Sequence, residues 1–238
     1  MSSIIKANEI QNSSGGADVK IQTLKHPSSS SNNLVLGSDG SATATLSSTS
    51  VVPASVGSSM VLIKTITSSA GDTEILFQHN YNGVTIDSTY LNYVLLVAGL
   101  TVTTNGKHVY LSIGNSSGYD TANRGGVHYW YDNGTARGGA SSVLTRAYTW
   151  DTVTATMRNN TANGGLQGCF NFFNFTNANQ ATLTTFQTSF YSDNGYQYGL
   201  HGGSTTLDAQ AMDRIKFTTN SDSFQAGAKI SLYGIKNA

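Results

Sequence analysis

The sequence predicts an all-β fold, in which an extended N-terminal arm precedes an antiparallel β-sandwich of jelly-roll type. Many short segments alternate apolar and polar residues with the two-residue period of a half-buried strand. These segments are rich in Val, Ile, Thr, Tyr and Phe, and Gly, Asn, Asp and Ser turns separate them. Aromatic residues are absent before Phe77. We therefore expect an attachment arm over residues 1–58 and a β-sandwich domain over residues 59–238.

The arm contains both prolines, Pro27 and Pro53, and a run of four serines at residues 28–31. A segment of this composition buries too little apolar surface to offset the entropy lost on ordering. We expect neighbouring chains to hold it, with its short apolar strips acting as added strands or hydrophobic plugs. The alternative is an arm that folds back on its own domain. The expected attachment residues are Ile4, Ile5, Ile10, Val19, Ile21, Leu34, Val35 and Leu36.

Strand patterns follow one another from Met60 to the end of the chain. They cover residues 61–67, 73–77, 90–100, 107–113, 127–131, 143–148, 151–157, 169–176, 181–191, 196–201, 214–218 and 229–233. The apolar run at 90–100 predicts a central strand covered on both faces. A short helical turn is expected near residues 206–211.

The last two patterns predict a strand pair that closes the domain. Their apolar residues fall on every second position, and Asn, Ser, Asp and Gly between them supply turn chemistry. Ile215, Phe217, Ile230 and Leu232 should therefore point into one core.

Charge composition argues against two classes of partner. The chain has 13 basic and 13 acidic side chains, and only 11% of its residues are charged. This balance gives no basic stripe for nucleic acid and no polybasic patch for an anionic membrane. No apolar stretch approaches the roughly 18 residues of a membrane-spanning helix, and the N-terminus lacks signal-peptide features. We expect synthesis in a cytoplasm, without membrane insertion.

Catalytic and metal-binding motifs are weak in this sequence. Residues 114–118 (G-N-S-S-G) match the nucleophile elbow of hydrolases, but loop-forming residues follow where the elbow needs a helix, so we predict a turn. The five histidines are scattered singly, and the acidic residues are isolated apart from Asp72 and Glu74. We therefore predict no catalytic centre, no metal and no cofactor. The single cysteine, Cys169, is expected to be a small buried hydrophobe.

One aromatic strand stands out as a candidate binding element. Along residues 127–131, Val127, Tyr129 and Tyr131 should face one way and His128 and Trp130 the other. The rings of Tyr129, Trp130 and Tyr131 could contact a glycan or lie in a covered interface, because large aromatics dominate both. The nearby Phe170, Phe172, Phe173 and Phe175 are expected in the core or an interface.

Three segments carry a resemblance to a known class of proteins. Residues 4–17 (I-I-K-A-N-E-I-Q-N-S-S-G-G-A) resemble the I-K-A-N-x-I-Q leader of structural proteins from tailed bacteriophages, notably those of marine and cyanobacterial hosts. Residues 228–236 (A-K-I-S-L-Y-G-I-K) are similar to the I-x-L-Y-G-I-K terminus of the same proteins. Residues 86–93 (I-D-S-T-Y-L-N-Y) resemble the segment that opens their sandwich.

This resemblance implies a non-enzymatic virion protein, made in the host cytoplasm. It would be a tail fibre or tail-associated appendage, anchored by its arm and displaying its β-domain for assembly or host-surface contact. The alternatives are a capsid decoration or head-fibre protein, a carbohydrate-binding module, and a polysaccharide-degrading enzyme that would need paired carboxylates. The implied partners are other virion proteins, a host-surface glycan, and further copies of the chain in a homotrimer or another symmetric homo-oligomer.

Overall fold

A computed structural model of the chain describes residues 59–120, 124–144, 150–151, 156–159 and 165–236, together with three short strands nearer the N-terminus. The chain divides into two compact units, Met1–Gly57 and Ser58–Ala238.

The first unit contains a sheet that the sequence analysis did not predict. Strands β1 (Thr23–Leu24), β2 (Leu34–Leu36) and β3 (Ala42–Ala44) pair antiparallel in that order. The expected attachment residues Leu34, Val35 and Leu36 therefore form the middle strand. The other expected attachment residues lie outside the described residues, namely Ile4, Ile5, Ile10, Val19 and Ile21. Their role in attachment stays a prediction.

The second unit is built from antiparallel strands, which confirms the predicted all-β class. Its strands are β4 (Met60–Thr67), β5 (Glu74–Gln78), β6 (Asn92–Leu100), β7 (Val109–Asn115), β8 (Gly118–Tyr119), β9 (Arg124–Asp132), β10 (Arg137–Leu144), β11 (Trp150–Asp151), β12 (Leu166–Phe173), β13 (Leu183–Tyr191), β14 (Gln197–Thr205), β15 (Arg214–Thr219) and β16 (Lys229–Ile235). No helix occurs among the described residues, so the helical turn expected near 206–211 is wrong; residues 207–208 form a bend.

Two sheets enclose one hydrophobic core. The larger has eight strands in the order β10-β9-β14-β13-β12-β6-β16-β4, and the smaller has five, with β11-β7-β15-β5 in line and β8 paired to β7. Phe170 on β12 meets Phe217 on β15 edge to face, with ring centroids 5.9 Å apart. Both side chains are fully buried. This contact across the two inner faces is the arrangement of a β-sandwich.

The closing strands share a core but do not pair with each other. Ile215, Phe217, Ile230 and Leu232 are all fully buried, as predicted. However, β15 pairs with β5 and β7 in one sheet, whereas β16 pairs with β4 and β6 in the other. The connection between them crosses the sandwich and buries Phe224. The predicted strand pair is therefore wrong, because alternation identifies a strand and its inner face but not its neighbour.

The eight-stranded sheet has one open face. The prediction that residues 90–100 are covered on both faces is wrong, because Leu96 is 37% exposed and Ala98 is also exposed. Tyr93, Leu95 and Val97 alternate with them and lie in the core. Consecutive strand side chains point to opposite faces, so an apolar residue such as Leu96 can occupy the open face.

Two hairpins extend this sheet beyond β12. Strands β13 and β14 form one hairpin and β9 and β10 the other, and β14 pairs with β9 to join them. Strand β10 is the outer edge of the sheet. We refer to β13, β14, β9 and β10 as the extension. The candidate site lies on the outward face where the extension adjoins β12 and β6.

Candidate functional site

The alternation predicted for the aromatic strand is present on β9. Val127 is 3% exposed, and Tyr129 and Tyr131 are half-buried against the core. Trp130 is 46% exposed, and His128 is exposed beside it. The three aromatic candidates are therefore separated, with the two tyrosines on the inner face of the sheet and Trp130 on the outward face.

The tyrosines belong to an aromatic cluster inside the extension. The Tyr131 ring lies edge-on to Tyr196, with centroids 5.3 Å apart, and 5.6 Å from Tyr198. Tyr198 stacks on Phe190 at 5.5 Å. Burial, and then the neighbouring tyrosines, raise the pKa of Tyr198. Interior packing thus accounts for Tyr129 and Tyr131, which leaves Trp130 as the aromatic side chain of a surface site.

Trp130 is held in place by a glycine on the neighbouring strand. Gly199 lies directly opposite Trp130 in the pairing of β14 with β9. A Cβ at Gly199 would overlap the indole ring, so the absence of a side chain leaves the space that the ring occupies. The indole therefore lies over the backbone of β14 while a large part of its surface stays open to solvent.

A depression of about 440 Å³ lies beside the Trp130 ring on the outward face. Four of its lining residues come from four neighbouring strands and stand opposite one another in register: Leu96 on β6, Cys169 on β12, Gln187 on β13 and His201 on β14. None of its lining residues is Asp, Glu, Lys or Arg. The depression thus combines apolar surface with amide, imidazole and hydroxyl groups.

A second depression of about 260 Å³ adjoins the first. The two share Gln167 and Ser189, so they form one groove that follows β13. The second part is also lined by Tyr191 and Gln197 and by no acidic or basic residue. We call the combined feature the Trp130 groove.

Two histidines meet next to this groove. The rings of His128 on β9 and His201 on β14 have centroids 5.2 Å apart, and His128 Nδ1 lies 3.0 Å from Ser141 Oγ. The sequence shows them as isolated residues, and only the pairing of β9 with β14 brings them together. No group of three potential metal ligands occurs among the residues that the structure describes.

The prediction that Cys169 is a small buried hydrophobe is wrong. It is half-buried and faces outward into the Trp130 groove, because Phe170 and Phe172 on the same strand take the inner positions. Burial raises the pKa of the Cys169 thiol, and its Sγ lies 3.7 Å from Asn171 Oδ1. Burial therefore disfavours the thiolate form of Cys169.

The remaining sequence candidates have structural roles. The G-N-S-S-G segment is the turn between β7 and β8, as predicted, and the Ser117 backbone N–H donates to Asn115 Oδ1 at 2.9 Å. A Cβ at Gly114 would overlap the carbonyl of Gly118, so this close approach requires glycine.

The phenylalanines expected in the core or an interface are Phe170, Phe172, Phe173 and Phe175. All are fully buried except Phe173, which is 41% exposed on the outward face.

No protein-family model, curated protein or solved structure matches this chain. Within the described part of the chain, no helix is long and apolar enough to cross a membrane. The groove and its neighbours therefore stand as the structural basis for a functional assignment.

Proposed function

We propose that this chain is a non-enzymatic structural protein of a tailed-bacteriophage virion, a tail fibre or tail-associated appendage. Its first unit attaches it to the particle, and its β-sandwich is displayed for assembly or host-surface contact. The proposal starts from the resemblance of three sequence segments to such proteins. One observation carries it further: two of these segments, far apart in sequence, pack directly on each other.

The contact joins residue 90 to residue 234. Tyr90, from the I-D-S-T-Y segment, has its ring where a Cβ of Gly234 would otherwise lie. Gly234 is the glycine of the L-Y-G-I-K terminus, which forms β16. Beside it, the Tyr93 hydroxyl donates to the backbone carbonyl of Asp87 at 2.9 Å. The two motifs therefore contact each other in this fold, which supports the proposal that they form one structural unit.

We further infer that the sandwich is a jelly roll with two inserted hairpins. If β8 and the extension are set aside, the remaining strands pair in the orders β4-β16-β6-β12 and β5-β15-β7-β11. Numbered 1 to 8 in chain order, the retained strands read 1-8-3-6 and 2-7-4-5, which is the connectivity of a jelly roll. Viral capsid proteins and lectins both use this fold.

A deletion tests the attachment role of the first unit. Phage particles would be produced with a chain that begins at Ser58, and circular dichroism would verify that the truncated protein keeps its β structure. We expect the truncated protein to be missing from purified particles when these are assayed by mass spectrometry. Incorporation at the normal level would contradict the proposal.

A capsid decoration or head-fibre protein is the alternative with the same fold, and the number of copies per particle separates the two. A tail appendage is present in few copies and a decoration protein in many. Quantitative mass spectrometry against the major capsid protein measures this ratio. In either position we expect a homotrimer or another symmetric homo-oligomer, because an arm that inserts into a neighbour generates closed assemblies.

Carbohydrate binding is a second candidate function, and the Trp130 groove favours it. An exposed aromatic ring beside hydrogen-bonding side chains suits a sugar, which has both an apolar face and hydroxyl groups. This activity is compatible with a displayed virion domain. Loss of glycan-array binding on Trp130→Ala would support it, and unchanged binding would remove it.

A further inference from the structure

We propose that the Trp130 groove binds a neutral oligosaccharide, with one sugar ring stacked on the Trp130 indole and the next units following β13 towards Tyr191. This inference rests on the proposed display of the sandwich, and it names the ligand class of the displayed face. Beyond carbohydrate binding itself, it specifies that the ligand is uncharged, that it runs along β13 and that it is longer than one sugar unit.

The stacking position is built before any ligand arrives. The indole occupies the space above Gly199, and Trp130 remains 46% exposed. A ring that is already held loses little conformational freedom on binding, so more of the contact energy appears as affinity. The C–H face of a pyranose ring is apolar and matches an aromatic face of this kind.

The polar lining matches hydroxyl groups. The exposed side chains of Gln187 and His201 stand opposite each other in the pairing of β13 with β14, two positions along from the pair of Ser189 and Gly199. An amide both donates and accepts hydrogen bonds, as does a neutral imidazole through its two nitrogens, so together they can serve a hydroxyl group in either role.

The lining of the groove lacks Asp, Glu, Lys and Arg, which favours a neutral ligand. The imidazole of His201 is the single titratable nitrogen base in the lining of the two depressions. A uronic or sialic acid stacked at the Trp130 end would lose hydration of its carboxylate without gaining a Lys or Arg partner in the lining, which is unfavourable. A neutral sugar meets no such penalty.

The groove is longer than one ring. It follows β13 from Gln187 to Tyr191, which at about 3.4 Å per residue is about 14 Å. Tyr191 at the far end is half-buried, and the Arg158 guanidinium lies over its ring at 5.8 Å from the centroid. The geometry therefore favours an oligosaccharide over a monosaccharide.

The test applies the full-length chain to an array of neutral oligosaccharides of glucose, galactose, mannose and N-acetylglucosamine, printed beside sialylated and uronic-acid oligosaccharides. Positive glycans are then titrated by calorimetry. We expect binding to at least one neutral oligosaccharide, with weaker binding of its monosaccharide. Binding of acidic glycans alone, or of no glycan, would overturn the inference.

Variants locate the site on the molecule. Trp130→Ala should weaken binding by roughly tenfold or more, because it removes the stacking surface. Gly199→Ala keeps the indole but displaces it, and should also weaken binding. Tyr81→Ala is the matched control, because Tyr81 is an exposed aromatic (56%) outside the groove and its loss should leave affinity unchanged. Equal effects of Trp130→Ala and Tyr81→Ala would overturn the assignment.

A charge inserted into the groove tests the selectivity separately. Gln187→Glu is expected to abolish binding of a neutral glycan that relies on the amide as donor, and Gln187→Lys to admit uronic-acid oligosaccharides. If neither variant changes the ranking of neutral and acidic glycans, the groove does not select the ligand.

Failure of this inference and failure of the proposed function are distinguishable. Glycan binding is measured on the purified chain, whereas membership of the virion is measured on purified particles. If Trp130→Ala is incorporated normally into particles and the wild-type chain binds no glycan, only the inference falls. If the chain binds neutral glycans but is missing from particles, only the virion assignment falls.

Discussion

The two halves of the eight-stranded sheet bury different kinds of side chain. The first half comprises β12, β6, β16 and β4, and the second half is the extension. On β6, β12 and β16 the inner face is lined by large apolar side chains such as Leu95, Phe170 and Leu232, all fully buried. On β13 and β14, buried hydroxyls of Thr188 and Ser204 stand among the aromatic residues. No hydrogen-bond partner for these two hydroxyls occurs in the described part of the chain. We therefore expect the first half to contribute more to stability than the extension, whereas the extension supplies Trp130 and His201 to the ligand site.

The largest expected effect comes from the core of the first half. Phe170→Ala should lower the free energy of unfolding by about 3–5 kcal/mol, because it opens a cavity between the two sheets. Phe170 contacts both Phe186 and Phe217. The matched control is Phe173→Ala on the same strand, because its ring is 41% exposed on the outward face and its loss should cost about 1 kcal/mol or less. Urea unfolding measures both, and equal losses would contradict the comparison.

The Asp222 carboxylate accepts hydrogen bonds from Thr103 and Thr104 and so connects two loops. These hydrogen bonds make the stability of the fold depend on pH. Thr103 Oγ1 donates to Asp222 Oδ1 at 2.6 Å, and the Thr104 backbone N–H donates to Oδ2 at 2.9 Å. Burial raises the pKa of Asp222, but hydrogen bonds from Thr103, Thr104 and Ser223 outweigh it and hold the pKa below its usual value.

Because the folded pKa of Asp222 is depressed, its stabilising contribution is complete above the unfolded value of about 3.9 and is lost as the pH falls through the folded pKa. Asp222→Ala should lower the free energy of unfolding by about 1.5–3 kcal/mol at neutral pH. The variant should also lose less stability than the wild type on acidification. Parallel pH profiles of the two proteins would show that Asp222 has no part in the acid response.

Removal of a buried hydroxyl in the extension should stabilise the protein, whereas the substitutions above destabilise it. Thr188→Val should raise the free energy of unfolding by about 1 kcal/mol, because it removes a buried hydroxyl that lacks a partner among the described residues. Thr103→Val is the control, since the Thr103 hydroxyl is hydrogen-bonded to Asp222, and it should be destabilising by a similar amount. Thermal unfolding at one pH compares the pair, and destabilisation by both would contradict the prediction.

The smallest effect on stability is expected at the ligand site itself. Trp130→Ala should change the free energy of unfolding by only about 0.5 kcal/mol, since surface substitutions away from the core fall within that range. Half of the residue is already exposed, so little packing is lost. A loss as large as that of Phe170→Ala would show that Trp130 is a core residue and would leave its ring unsuited to stacking.

The sequence predicts the local part of this structure well. Alternation alone puts Val127 and Trp130 on opposite faces of one strand, and it puts Ile215 and Ile230 in one core, because a strand with one buried face must alternate. It fails where the partner of a strand decides the outcome. The two closing strands lie in different sheets because they pair with different neighbours. Leu96 lies on an open face because the second sheet covers the opposite face of its strand.

The site was less predictable than the fold. Trp130 stands out in the sequence as a large aromatic, but Gln187 and His201 are unremarkable residues until strand pairing brings them beside it. Strand β10 was partly missed because its first residues, R-G-G-A-S-S, have low β-propensity. Such residues are tolerated there because β10 is an edge strand with one neighbour.

The most direct test of the proposed virion assignment is electron cryomicroscopy of intact phage particles produced from a genome that carries the coding sequence of this chain. The account predicts density for the sandwich on the particle, with the first unit, Met1–Gly57, against its neighbours and the Trp130 groove open to solvent. Particles that lack the chain would contradict the virion assignment. A groove covered by another subunit would contradict its role in binding a saccharide.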